Sequence, residues 1–163
     1  MAYESVHLEN SIAIENIISV HYFQYMSDFS FPGESHDFWE LVCVDRGEII
    51  AVAGDRQLAL KKGNILFHKP NEFHNVLTNG RISPSLVVIG FDCHSPCMKA
   101  FEDQLMNVQD TEKELLAKII VEARNTFDGR LDDPYQEKLV FLEKQASFGA
   151  PQLIRHYLEQ LMI

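Results

Sequence analysis

The sequence predicts a mainly β protein: an antiparallel β-barrel followed by amphipathic helices in the C-terminal part. Three observations predict it. Up to about residue 92 the apolar residues recur at strand spacing, and turn signals punctuate them at short intervals. Beyond Asp92 the spacing becomes helical. Many short strands divided this regularly indicate a barrel or sandwich whose strands pair through tight turns.

The elements follow in order. Ile12 and Ile14 alternate with small or polar neighbours, and Ile18 to Tyr25 is rich in β-branched and aromatic residues, which suit a pleated surface. Phe38 to Val44 and Ile49 to Val52 flank the tight turn Asp45-Arg46-Gly47-Glu48. Gly54-Asp55 and Lys62-Gly63-Asn64 are further turn signals. Ile65 to His68, Phe73 to Leu77 and Leu86 to Phe91 complete the strands.

Thr111-Glu112-Lys113-Glu114 then reads as a capping box opening a helix lined by Leu115, Leu116, Ile119, Ile120, Ala123 and Phe127. Asp133-Pro134 predicts another helix start, stopped by Gly149, and Pro151 a last one. In that last helix Leu153, Ile154, Tyr157, Leu158, Leu161 and Met162 form an apolar stripe opposite Arg155, His156 and Glu159. The expected division is a barrel over residues 1–95 and a helical segment over 96–163. The apolar finish at Leu161-Met162-Ile163 carries the expectation that the native chain continues beyond this point.

Composition narrows the function classes. The 163 residues suffice for one core, and 46% hydrophobic with 10% aromatic residues is a globular composition. With 14 basic against 24 acidic side chains the net charge is −10, so the chain by itself is not expected to bind nucleic acid. Leu86 to Phe91 is too short to span a bilayer and the N-terminal residues lack a secretory signal, so cytoplasm is the expected compartment. Cys43, Cys93 and Cys97 are odd in number, against a disulfide framework, and no second Cys/His pair completes a zinc site with Cys93, His94 and Cys97. Nucleotide-cradling and serine-hydrolase glycine motifs are missing from the sequence.

One constellation points to chemistry. His36, Glu40 and Gly47 read His-x3-Glu-x6-Gly, and Gly63 leads to Pro70 and His74. This resembles the two motifs of the cupin superfamily, small antiparallel jelly-roll barrels whose metal-binding members supply His and Glu ligands. Here Glu34 stands where the first His of the usual His-x-His pair would be, and Pro70-Asn71-Glu72-Phe73-His74 looks like the Pro-x-x-x-His form of AraC-type sensor domains. The stretch Ser35-His36-Asp37-Phe38-Trp39-Glu40-Leu41-Val42 resembles the strand that opens many such sensors. The stretch from Gly149 to Leu161 resembles the linker helix preceding their DNA-binding part.

Strand parity would turn Glu34, His36, Phe38, Glu40 and Val42 to one face and Trp39, Leu41 and Cys43 to the other. If the first face lines the barrel, His74 joins it, and the effector-binding candidates are Glu34, His36, Phe38, Glu40 and His74. Charges kept inside need partners, so a divalent metal (Zn, Ni, Fe or Mn) on His36, Glu40 and His74, a polar effector, or mutual hydrogen bonds are all open. Four residues of straight strand span roughly 13 Å, so His36 and Glu40 need a bend to share an ion. Trp39 is expected to pack outward against the helices. His68 and Lys69 are read as a basic pair near the barrel mouth, facing solvent or an anionic ligand.

What the resemblance implies is an effector-sensing domain of an AraC-type regulator. It would take a small molecule, a sugar by family analogy, and dimerise through helices carrying Leu116, Ile119, Ile120, Leu153, Tyr157 and Leu161. DNA would be met only through a helix-turn-helix domain outside this chain. The alternative is a metal-dependent cupin enzyme of dioxygenase or isomerase type.

Overall fold

The computed structural model describes residues 3–143 and 147–163. Its first half is a run of seven antiparallel strands: β1 (Asn16–Gln24), β2 (Trp39–Arg46), β3 (Glu48–Ala53), β4 (Arg56–Lys61), β5 (Asn64–His68), β6 (His74–Leu77) and β7 (Ser85–Asp92). A 3₁₀ turn over Pro96–Phe101 leads to β8 (Leu105–Asn107), and α1 (Asp110–Thr126) follows. The two-residue strands β9 (Phe127–Asp128) and β10 (Val140–Phe141) pair with each other, and α2 (Ala150–Leu161) closes the described chain. The class is the expected one, mainly antiparallel β with helices towards the C-terminal end.

Two sheets form the β part, one ordered β1-β7-β2-β5-β8 and one β4-β3-β6. Alternation along β2 gives each face its own core. Val42 and Val44 join Phe23, Ile49, Leu60 and Leu86 between the sheets. Trp39, Leu41 and Cys43 join Ile89, Phe91 and the helical residues on the other side. Both faces of β2 are therefore apolar, as for any strand buried between two layers. Gly47 turns β2 into β3 at φ +78°, and a side chain there would crowd Ile82 and Pro84 at 3.1–3.2 Å.

Several expectations are corrected. Ile12 and Ile14 lie outside any strand, although both are buried under the helices, and a backbone amide bond from Ile14 to Glu159 (3.0 Å) secures the segment. The residues after Asp92 are not all helical: β8 pairs with β5, so the sheet runs past the division at residue 95. The capping box sits earlier than Thr111, with Gln109 at the cap and Glu112 accepting the Gln109 amide at 2.7 Å. Glu112 can reach back there because it occupies the third helical position.

Asp133-Pro134 starts no helix; the Asp133 carboxylate instead accepts the Tyr135 amide (3.0 Å) in a local turn, the competing use of a short acidic side chain. Gly149 does not stop a helix but precedes α2, at φ +78°. The part of the expected helix at residues 144–146 lies outside the described residues.

α1 turns Leu116, Ile119 and Ile120 onto the sheet and α2 adds Ile154 and Leu158, all within one core. Leu153 keeps 37% of its surface exposed, and Tyr157 and Leu161 are partly buried. Among the described residues no helix is long and apolar enough to cross a membrane.

Candidate functional site

Between the two sheets lies a cavity of about 310 Å³ that collects ionisable side chains from several elements. The chain bends at Asp37 and Phe38 just before β2 begins. The bend removes the straight-strand separation and brings His36 Nε2 within 3.7 Å of Glu40 Oε2. Upstream, Glu34 and His74 form an isolated antiparallel bridge, each amide donating to the other's carbonyl at 2.9 Å. That pairing delivers the side chain of β6's first residue to the same place. His74 Nε2 lies 3.5 Å from Glu40 Oε1 and 4.0 Å from Glu34 Oε1.

The outer nitrogens of the two imidazoles are already committed. His74 Nδ1 is 2.9 Å from the Glu72 carbonyl and His36 Nδ1 is 3.1 Å from the Phe38 carbonyl. A carbonyl only accepts, so each Nδ1 carries the proton and each Nε2 of a neutral ring presents a lone pair. Both Nε2 atoms are buried without a hydrogen-bond partner among the described residues, and both face the Glu40 carboxylate. Two lone pairs aimed at an anion repel it. The arrangement is stable only with something positive or proton-donating in the middle: a proton on a ring, a cation, or ligand hydroxyls.

The protonation equilibria reflect this tension. Burial disfavours the Glu40 carboxylate, but His36, His74 and His68 around it prevail and hold its pKa below the usual carboxylate range. Burial lowers His36, yet the carboxylates of Glu40 and Glu34 outweigh it and raise the group. His74 is pulled down by burial, with Glu40 only partly compensating. Glu34 is raised, first by burial and then by the Glu40 charge.

His68 corrects its sequence reading. It is fully buried rather than at the mouth, stacked on His74 with ring centroids 4.5 Å apart, and its Nδ1 lies 3.4 Å from Glu72 Oε2. Lys69 meets Glu102 and Asp103 at 3.8 and 3.7 Å. His21, on β1, is a lining residue that sequence reasoning missed; it is buried, and its Nδ1 has no hydrogen-bond partner among the described residues. A signal for His21 was available, since it shares parity with Phe23 and Tyr25, both of which also line the cavity. Nothing in the sequence placed Pro134 to Glu137, a strap of four consecutive residues that lines the cavity. Phe38 stacks flat on His36 at 3.6 Å, and Trp39 points away into the helix-side core.

The donor set fits a divalent ion. One atom each from Glu34, His36, Glu40 and His74 can be chosen so that all four lie within 4.8 Å of one another. Ligands at about 2.0–2.2 Å from a tetrahedral ion stand roughly 3.4 Å apart, so a small inward movement would close such a shell. Imidazoles whose second nitrogen donates to a carbonyl are already oriented for coordination.

Residues 16–80 match the family model described as the AraC-like ligand binding domain. A stretch of 45 residues is 40% identical to the HTH-type transcriptional activator RhaS of Pectobacterium carotovorum, covering 28% of this chain and 16% of that protein. RhaS of Pectobacterium atrosepticum matches to the same extent. The match thus spans under a fifth of these relatives. Among solved structures, the cupin domain of Schizosaccharomyces pombe Cnp3 aligns with a TM-score of 0.45 at 12% identity, covering 50% of this chain and 59% of that one. A cupin superfamily protein from Desulfitobacterium hafniense aligns at 0.44 and 15% identity, covering 54% and 84%.

Proposed function

We propose that this chain, matched over residues 16–80 by the AraC-like ligand binding domain, is the effector-sensing domain of an AraC-type transcription regulator. The cavity holding Glu34, His36, Phe38, Glu40 and His74 would be its effector site. The observation that carries the reading is the set of buried, unpartnered imidazole nitrogens around Glu40, inside the matched segment. A ligand rich in hydroxyl groups, a sugar or polyol, answers them: its O–H groups donate to the His36 and His74 Nε2 atoms and to Glu40, and Phe38 offers an apolar face.

The strap from Pro134 to Glu137 would report occupancy, because it belongs to the segment joining α1 to α2. A ligand preferring the closed strap shifts the population towards it. Leu153, Tyr157 and Leu161 on α2 would meet a second copy in a two-fold dimer. DNA contact belongs, in this reading, to a part outside these 163 residues, given a charge of −10 and relatives named as HTH-type activators. Such a regulator would work in the cytoplasm.

The test is thermal unfolding with a panel of neutral monosaccharides and polyols, on the wild type and on Glu40→Gln. A ligand at 100 times its Kd stabilises the wild type by about 2.7 kcal/mol. The expected result is a clear rise in Tm for at least one compound, lost in the variant. No rise with any compound would overturn the reading.

A second reading has its own observation, the four donors within 4.8 Å. A divalent ion held by His36, Glu40 and His74, with Glu34 beside them, would supply Lewis-acid or redox chemistry to a cupin enzyme. The chain's residues would orient the substrate through Phe38 and exclude water with the strap. Turnover of a substrate dependent on added metal would favour this reading.

A further inference from the structure

A second cleft lies on the other side of the five-stranded sheet, between it and α1, with a volume of about 280 Å³. Its wall is apolar: Cys43, Val87 and Val108 on one side, Leu116 and Ile120 of α1 on the other. None of the cavity residues discussed above reaches it.

The polar groups at its rim are unevenly charged. Lys62, Lys113 and Arg124 line it, against the single carboxylate of Asp45. Asp45 already accepts the Tyr22 hydroxyl at 2.9 Å. Lys113 has Asp110 at 3.0 Å, whereas Lys62 and Arg124 have no carboxylate within ion-pair distance among the described residues. On a chain of net charge −10, an apolar cleft edged by three cations is out of keeping with the surrounding surface. Lys62 and Lys113 share one end: Val108, which precedes α1, donates its amide to the carbonyl of Gly63 at 2.8 Å. Arg124 stands eleven residues further along the helix, about 16 Å at 1.5 Å per residue.

We propose that this cleft is a second ligand site, taking a small amphipathic organic anion with a compact apolar body and one carboxylate or sulfonate. The apolar body lies between Val87 and the Leu116–Ile120 face of α1, and the anionic head meets Lys62 and Lys113. Exchanging water for apolar contacts supplies the affinity, and the paired cations select charge and direction. Because α1 forms one wall, an occupied cleft fixes the helix on the sheet. A two-ligand sensor follows, with one input inside the barrel and one beneath the helix.

Calorimetric titration with octanoate and octanesulfonate tests it, with octanol and octylamine as controls. The expected result is one saturable site for the anions, with octanol and octylamine at least tenfold weaker. Lys62→Gln combined with Lys113→Gln weakens octanoate at least tenfold. Ala117→Trp abolishes it; Ala117 lines the cleft yet is itself exposed, so the added bulk fills the cleft without entering the core. Urea unfolding at the wild-type midpoint checks that this variant folds. Arg124→Gln and Glu40→Gln stay within about twofold of wild type, the latter separating this site from the barrel cavity. Wild type without saturable octanoate binding up to about 10 mM, a range weaker than millimolar affinity, overturns the proposal. So does binding that survives Ala117→Trp, or equal binding of octanol.

Discussion

His74 Nε2 stands 3.5 Å from Glu40 Oε1 while its other ring nitrogen is tied 2.9 Å from the Glu72 carbonyl. The tie fixes the tautomer, so the free nitrogen of the neutral ring meets the carboxylate as an acceptor facing an acceptor. Relief must come from a proton, a cation or a donor ligand.

Glu40→Gln replaces the central anion by an amide that can donate to one imidazole. Divalent-ion affinity, measured by titration calorimetry with Ni²⁺ or Zn²⁺, should fall by more than the 10–100-fold typical of losing a supporting partner, since Glu40 would itself be a ligand. Unchanged affinity would show that any ion bound lies elsewhere.

Dialysis against EDTA should leave the fold intact. The two cores lie on either side of β2, one joining the two sheets and the other joining the five-stranded sheet to the helices, and neither includes the four polar side chains. Cooperative urea unfolding after dialysis is the expected result; its loss would make the ion structural.

Gly90→Ala should weaken effector binding with little change in fold. A Cβ there would stand 2.7 Å from Ser19 Oγ and 2.9 Å from the Phe38 ring, and that ring stacks on His36 at 3.6 Å. Displacing Phe38 therefore moves His36. The predicted reading is a several-fold rise in ligand Kd beside a nearly unchanged far-ultraviolet circular dichroism spectrum.

Leu158→Ala should cost about 2–5 kcal/mol in urea unfolding, because Leu158 is fully buried against the α1 side of the core. Leu153→Ala, at 37% exposure, should cost under about 1 kcal/mol. In sedimentation, the same Leu153 change should weaken the proposed dimer; a clean monomer of wild type at tens of micromolar would remove it.

Acid should release the segment before β1 from α2. Burial pushes Glu159 up, but the Arg155 guanidinium at 2.8 Å and the Ile14 amide at 3.0 Å outweigh it and hold its pKa below the usual value. A depressed carboxylate contributes stability that is complete above its unfolded pKa, near 4.5, and lost as pH falls through the lower folded value. The protection of the Ile14 amide, its exchange rate relative to the intrinsic rate at the same pH, should hold at neutral pH and fall as pH drops below 4.5, and Glu159→Ala, which removes the acceptor, should show the low protection already at neutral pH.

Periodicity by itself determined the class of this protein. Alternation along Phe38–Val44 separated the cavity-facing Glu40 and Val42 from the helix-facing Trp39 and Cys43, because a pleated strand has only two faces. Resemblance to the cupin motifs, together with strand parity, singled out Glu34, His36, Glu40 and His74, which the structure brings together. Tertiary structure decided what periodicity cannot encode. The bend at Asp37–Phe38 closed a gap that a straight strand would have left open. The register Glu40↔His68 carried a seemingly exposed histidine into the interior. Competing local hydrogen bonds turned an expected helix at Asp133 into the turn that opens the strap lining the cavity. Each of these depends on contacts between residues distant in sequence or on a choice between near-equal local conformations, and neither leaves a repeating trace along the chain.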